Sequence, residues 1–222
     1  MMTNLFSIFD PSTSSSLSMN WMSIFSIFIL LPSLYWMIPS RSQTLWFYTS
    51  SLLKIEMNNL FAKNKKKYMF LMISIFWFIM INNFLGLFPY IFTATSHINL
   101  SSIMALPLWM TFMIFGWINQ TNFMFSHLVP TGTPMMLSMF MVIIETISSL
   151  IRPLTLSVRL TANMISGHLL LCLLSNIMQN FPLINMFIFP VMTALLTLEM
   201  AVAIIQSYVF TILISLYLNE LN

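Results

Sequence analysis

An acid, two arginines, an amide and a histidine stand inside one apolar run: Glu145, Arg152, Arg159, Asn163 and His168. A later apolar run carries Glu199, Gln206 and Glu220. Ionisable groups at bilayer depth are costly, so they face the protein interior or water and mark ion or proton paths. Glutamate and histidine can exchange protons near neutral pH once their surroundings shift them. Arginine cannot, because its pKa exceeds about 12. The set therefore reads as proton-exchanging groups divided by a fixed cation, Arg159. A lysine there could lose its proton and leak. Arg159 would also attract any passing carboxylate, and an opposite charge within about 4–6 Å favours the ionised acid.

These residues need a scaffold that holds charge in lipid. The chain has 222 residues, 59% hydrophobic and 6% charged. A soluble domain carries about 25% charged residues, so this composition predicts an all-α integral membrane protein. The 4 glycines and the lack of strict apolar/polar alternation argue against a β-barrel. Long apolar runs favour helices, which satisfy their own backbone in lipid. The single Cys172 excludes a disulfide framework and a multi-cysteine metal or iron–sulfur site; it reads as a packing residue. No cofactor or metal is expected.

The chain reads as one membrane domain over residues 1–222. Residues 1–16 form an exposed lead-in. Residues 17–38 form a first crossing, long enough for a ~30 Å core; without a basic leader or cleavage site they are not a signal peptide. Residues 41–67 are basic and amphipathic, which fits a helix lying in the interface. They hold Arg41, Lys54, Lys63, Lys65, Lys66 and Lys67, most of the 8 Lys/Arg residues. The positive-inside rule places that segment on the matrix or cytoplasmic face. It accounts for the lysine run without a nucleic-acid partner. Residues 68–88 and 103–119 form two more crossings, with loops at 90–102 and 119–134.

A run over residues 135–177 is roughly 60 Å long as helix, about twice the ~30 Å hydrocarbon core. It either breaks at Pro153 or lies tilted, and its polar stripe favours the tilt. At about 100° per residue, Glu145, Ser149, Arg152, Leu156, Arg159 and Asn163 fall within roughly 40° of one line. A second long run, residues 183–218, follows a turn near Pro182. The last two helices thus form a long tilted antiparallel hairpin over 135–218. In it Glu145 and His168 lie roughly 34 Å apart, and Glu199 and Glu220 roughly 32 Å. His168 is then expected beside Glu199 at the outer end, and Glu145 beside Glu220 at the inner end. About five crossings plus one interfacial helix put the N-terminus outside and the C-terminus inside.

Each residue also has a plainer role open to it. Glu145 and Arg152 suit a structural i,i+7 ion pair, and His168 a packing histidine. Gln206 suits helix–helix glue, and Glu220 a solvated terminal acid. His97 and His127 fall in loops with no assigned task. Two rival functions remain: a stand-alone secondary ion transporter, which would show internal repeats and broken helices, and a quinone- or haem-associated respiratory subunit. No repeat is visible, and the histidines lack paired axial-ligand spacing.

The run Leu156-Ser-Val-Arg159-Leu-Thr-Ala-Asn163-Met-Ile-Ser-Gly167-His168 resembles the signature of subunit a of F-type ATP synthases in mitochondrial form. Asn83-Phe-Leu-Gly86-Leu-Phe-Pro89, Phe9-Asp10-Pro11 and Glu199 followed by Gln206-Ser-Tyr208 resemble the same family. The lysine run at 63–67 looks unusual for it. The resemblance implies a non-catalytic subunit that moves protons through two offset half-channels against a rotating c-ring. It makes Arg159 the essential cation and Asn163 its neighbour, with His168 and Glu199 on the outer path and Glu145 and Glu220 on the matrix path. It further implies the mitochondrial inner membrane, other Fo and peripheral-stalk subunits as partners, and nucleotide chemistry elsewhere. No phosphate-binding loop such as G-x-x-x-x-G-K-[ST] is present.

Overall fold

A computed structural model describes residues 5–14, 16–32, 35–61, 63–129, 134–181 and 185–220; the side chains at 5, 63–65, 135 and 220 lie outside it. The described residues are helical, without a strand. Short 3-10 turns at Leu5–Phe9 and Met19–Phe25 lead into α1 (Ser26–Leu30). There follow α2 (Arg41–Leu60), α3 (Met69–Gly86), α4 (Ile98–Asn119), α5 (Thr121–Leu128), α6 (Met135–Asn180) and α7 (Asn185–Glu220).

Four of these segments are long and apolar enough to cross a membrane: Lys66–Gly86, Ile98–Asn119, Met136–Asn180 and Asn185–Asn219. The segment expected to cross first is shorter, with an apolar helix over Met19–Leu30 only. Leu31, the residue before Pro32, is extended, with ψ 120°. Proline's ring crowds the preceding residue out of the helical region, so the helix stops there. The next crossing matches its expected bounds closely. The one after begins earlier than expected, at Ile98 rather than 103, with His97 at its N-cap. Residues 98–102, expected as loop, form the first turn of this helix. Ser101 and Ser102 return their hydroxyls to Ile98 and Asn99 carbonyls of the same helix.

The 46-residue α6 runs straight through Pro153, so the alternative of a break is set aside. Proline removes one backbone bond, and membrane helices tolerate this where neighbouring helices and hydroxyls re-satisfy the freed group. At about 69 Å α6 far exceeds a ~30 Å core. The 36-residue α7 pairs with it antiparallel. Asn163 bonds Gln206, Gly167 abuts Glu199, and Arg152 covers Tyr217.

The core joins Met57 of α2 and Phe61 just after it, Met69, Met72, Ile75 and Ile79 of α3, Ala105 of α4, Leu156 and Leu160 of α6, and Phe210, Ile214 and Leu218 of α7. Lipid tails are as apolar as leucine, so helix association relies on close packing by small residues. Ser101, Ser207, Thr211 and Ser215 fill that part and are fully buried. Their hydroxyls bond carbonyls of their own helices: Ser207 to Ile204 at 2.7 Å, Thr211 to Tyr208 at 2.9 Å, Ser215 to Ile212 at 2.7 Å. They bring no unsatisfied group into the contact and let α3 lie against α7.

Candidate functional site

The α6–α7 contact carries the site. Leu156 and Leu160 on α6 are buried in the core, while Arg159 between them is exposed. Arg159 therefore faces away from the bundle. Among the described residues no carboxylate pairs with it. One helical turn on, Asn163 Nδ2 donates to Gln206 Oε1 at 2.8 Å. That bond locks the register of the two helices one turn from Arg159, about 6 Å along the axis.

One further turn along α6, Gly167 makes room for Glu199. A Cβ built on Gly167 would lie 2.7 Å from Glu199 Oε1 and 2.9 Å from its Cδ. Only glycine admits the carboxyl this close. Glu199 is 8% exposed, and among the described residues neither of its oxygens has a hydrogen-bond partner. His168 follows directly. It is half-buried, its Nε2 is likewise without a partner, and the Phe9 ring meets it edge-on at 6.5 Å. The expected level of His168 and Glu199 is thus what the structure has, though no hydrogen bond joins them. The two are separate proton-capable groups on one side of the Asn163–Gln206 bond. Phe9 also gives the N-terminal lead-in a contact with the site that composition did not suggest.

Toward the other end of α6, Glu145 and Arg152 form an ion pair at 3.9 Å, each side chain about one third exposed, at 34% and 31%. Arg152 also lies over the Tyr217 ring at 5.1 Å. Beside them α4, α5, α6 and α7 enclose a cavity of about 110 Å³ that takes in Glu145, Ser149, Arg152, Tyr217 and His127. The expected Glu145–Glu220 neighbourhood involves a side chain outside the described residues. Tyr217, one turn before Glu220, does reach this cavity.

Sequence reasoning passed over His127 because residues 119–134 read as a polar loop. Part of that stretch forms α5, which turns His127 toward Glu145. The Asn83–Pro89 resemblance also falls on a buried polar group at the end of α3 and just beyond it, whose Thr93, Thr95 and Ser96 sequence reasoning did not single out. Asn83, Thr93, Thr95 and Ser96 are each at most 4% exposed, and a Cβ on Gly86 would meet Thr93 Cγ2 at 3.0 Å and Met164 Cε at 3.5 Å. The signal was present in Asn83 and Gly86 at i,i+3. Among the described residues no group of three His, Cys, Asp or Glu side chains suits a metal ion.

A sequence profile of the ATP synthase A chain family matches residues 14–219. This chain belongs to that family. It is 54% identical to the ATP synthase subunit a of Drosophila simulans over 224 residues, covering 100% of both chains. The subunit a of Anopheles gambiae is 56% identical over 226 residues, again with 100% of both chains. That of Locusta migratoria is 55% identical over 223 residues, 99% of each. The family matches the resemblance read from the Arg159–His168 run, and the transporter and quinone or haem readings are not favoured.

Proposed function

We infer that this chain conducts protons in the Fo sector of a mitochondrial ATP synthase, through two offset half-paths against a ring of c subunits. A proton from the intermembrane space passes His168 and Glu199 and neutralises a ring carboxylate, which can then turn into lipid. At the matrix path that carboxylate loses its proton past Glu145 and Glu220 and meets Arg159. Potential drives the step at about 2.3 kcal/mol per charge per 100 mV. The chain itself makes no bond to nucleotide.

The observation that carries this reading is Glu199. A carboxyl 8% exposed, without a hydrogen-bond partner among the described residues and seated on a glycine, is a poor structural element. It is a suitable station for a mobile proton. Support for the divided path comes from the Asn163–Gln206 bond, which separates Glu199 from Arg159. Arg159's outward face leaves it open to a ring carboxylate.

The orientation belongs to the same proposal. The four long spans, with residues 17–38 as a fifth crossing and α2 as the interfacial helix, put the N-terminus in the intermembrane space and the C-terminus in the matrix. Other Fo and peripheral-stalk subunits then cover the exposed apolar faces of α4 and α6 that lipid does not. The decisive experiment replaces Arg159. Arg159→Ala should abolish coupled proton transport and ATP synthesis, and Arg159→Lys should fail or leak because a desolvated ammonium can deprotonate. Normal oxidative ATP synthesis in either variant overturns the reading.

A further inference from the structure

We propose that the groove between α1, α2 and α3 is a phospholipid site, which takes one acyl chain of an anionic phospholipid with the phosphate at Lys54. The groove encloses about 740 Å³ and is walled by Phe28, Trp46, Phe47, Phe70, Trp77 and Phe78, with Lys54 at its edge. Its size falls within the roughly 300–1,000 Å³ of ordinary ligand sites. It lies on the opposite face of α3 from the core residues Met72 and Ile79 and does not touch the proton-path residues.

Three features select a lipid. First, the wall is apolar even where its residue types are not. Ser50, Ser51 and Ser74 line it, but their hydroxyls donate to the Phe47, Tyr48 and Leu71 carbonyls of their own helices. Their protons are committed, so they offer an occupant no donor, and the remaining lining is aromatic and aliphatic apart from Lys54. Second, the groove is long and held open. Phe70, Ile73, Ser74 and Trp77 form an i,i+3,i+4,i+7 stripe about 10 Å long on α3, and Trp46 stacks on Trp77 at 3.5 Å between centroids. Ile27, Phe28 and Leu31 close the third side. Third, among the described residues the one charge on the lining is Lys54. Among the described residues no carboxylate forms an ion pair with it. Lys66 and Lys67 lie exposed at the start of the same α3 span. A cation at one end of an apolar slot in a membrane matches an acyl chain with an anionic phosphate. A neighbouring protein helix would match the apolar walls but would have to bring an acid of its own to Lys54, which an anionic phospholipid supplies with its headgroup.

The test uses the whole complex reconstituted in vesicles with a trace of lipid carrying a photoreactive acyl chain, either phosphatidylglycerol or phosphatidylcholine. Phosphatidylglycerol should label peptides spanning residues 27–31 and 70–78, and phosphatidylcholine should label them weakly. Lys54→Gln should lower the phosphatidylglycerol labelling about fivefold, the loss equivalent to about 1 kcal/mol per lysine near anionic lipid, while Lys54→Arg should keep it. Ser74→Leu, which narrows the slot, should lower labelling by both lipids. Equal labelling by the two lipids, or unchanged labelling in Lys54→Gln, refutes the phosphate contact. Crosslinking of Ser51→Cys to another subunit at high yield shows a protein helix in the groove and refutes the site.

Discussion

Gly167→Ala is the sharpest perturbation this structure offers, because stability and function should move differently. The added methyl would sit 2.7 Å from Glu199 Oε1, 2.9 Å from Cδ and 3.1 Å from Cγ. Non-bonded carbons settle at about 3.5–4.0 Å, so the carboxyl must withdraw by roughly 1 Å. What moves is the end of a flexible side chain, so the helices need not part. A side chain pushed about 30° off its rotamer costs about 0.5–1.5 kcal/mol. Alanine is the better helix former by about 1 kcal/mol. These two effects nearly cancel, and the complex should assemble at its normal level. Function has no such compensation, since a misplacement of about 1 Å can lower a rate about 100-fold. ATP-driven proton pumping and proton-driven ATP synthesis should therefore fall by roughly tenfold to 100-fold, with assembly measured on native gels. Adding Glu199→Asp, which shortens the acid by one methylene, should restore part of the loss. Full activity with normal assembly would show that Glu199's seat does not matter. Loss of assembly with unchanged activity per complex would make the contact purely structural.

Further outcomes follow from the same geometry. Loss of His168 and loss of Glu199 should be non-additive in proton flux, as expected for neighbouring groups serving one step; multiplicative effects would separate them. Asn163→Ala strips buried Gln206 of its donor and should lower the thermal stability of the complex by about 1–3 kcal/mol, or nearer the ~0.6 kcal/mol average of membrane hydrogen bonds. Adding Gln206→Met should recover most of that, and no recovery would refute the pairing as the cause. Orientation can be read with single cysteines at Ser42, Tyr90 and Asn180 in a Cys172→Ser background. An impermeant thiol reagent should reach position 42 from the matrix and positions 90 and 180 from the other side. Ser96 is unsuitable because it is only 4% exposed. Labelling of 90 and 180 from the matrix only would invert the topology and exchange the two half-paths.

What was legible in the sequence is what rests on one helix at a time. Helix length and polar spacing sufficed for α3, α6 and α7, and for the antiparallel level of His168 with Glu199, because rise per residue is nearly constant. Residues 17–38 were less tractable. Their apolar content suits a span, but Pro32 stops the helix after Leu30, and hydropathy does not register the lost backbone conformation. The loop reading of residues 98–102 failed for the reverse reason. Serines next to a histidine look like loop, yet within a membrane helix their hydroxyls fold back onto the preceding turn.

The site itself needed the third dimension. Gly167 reads in one dimension as a weak point in a long helix, because glycine lowers helix propensity. In the fold it is the position where α6 gives way to Glu199. The same holds for Arg159, whose spacing puts it in one stripe with Leu156. Packing then splits the stripe: Leu156 goes into the core, while Arg159 and Asn163 emerge on the exposed side. A helix this long cannot keep one face toward one neighbour. Around Glu145 it meets α4, α5 and Tyr217 of α7, and at Gly167 it meets Glu199 of α7. Two acids on the same chain can therefore sit in different surroundings, with Glu145 part-exposed and ion-paired and Glu199 buried and, among the described residues, without a partner. The proposed path, with an inlet and an outlet of unlike character, would draw on that difference.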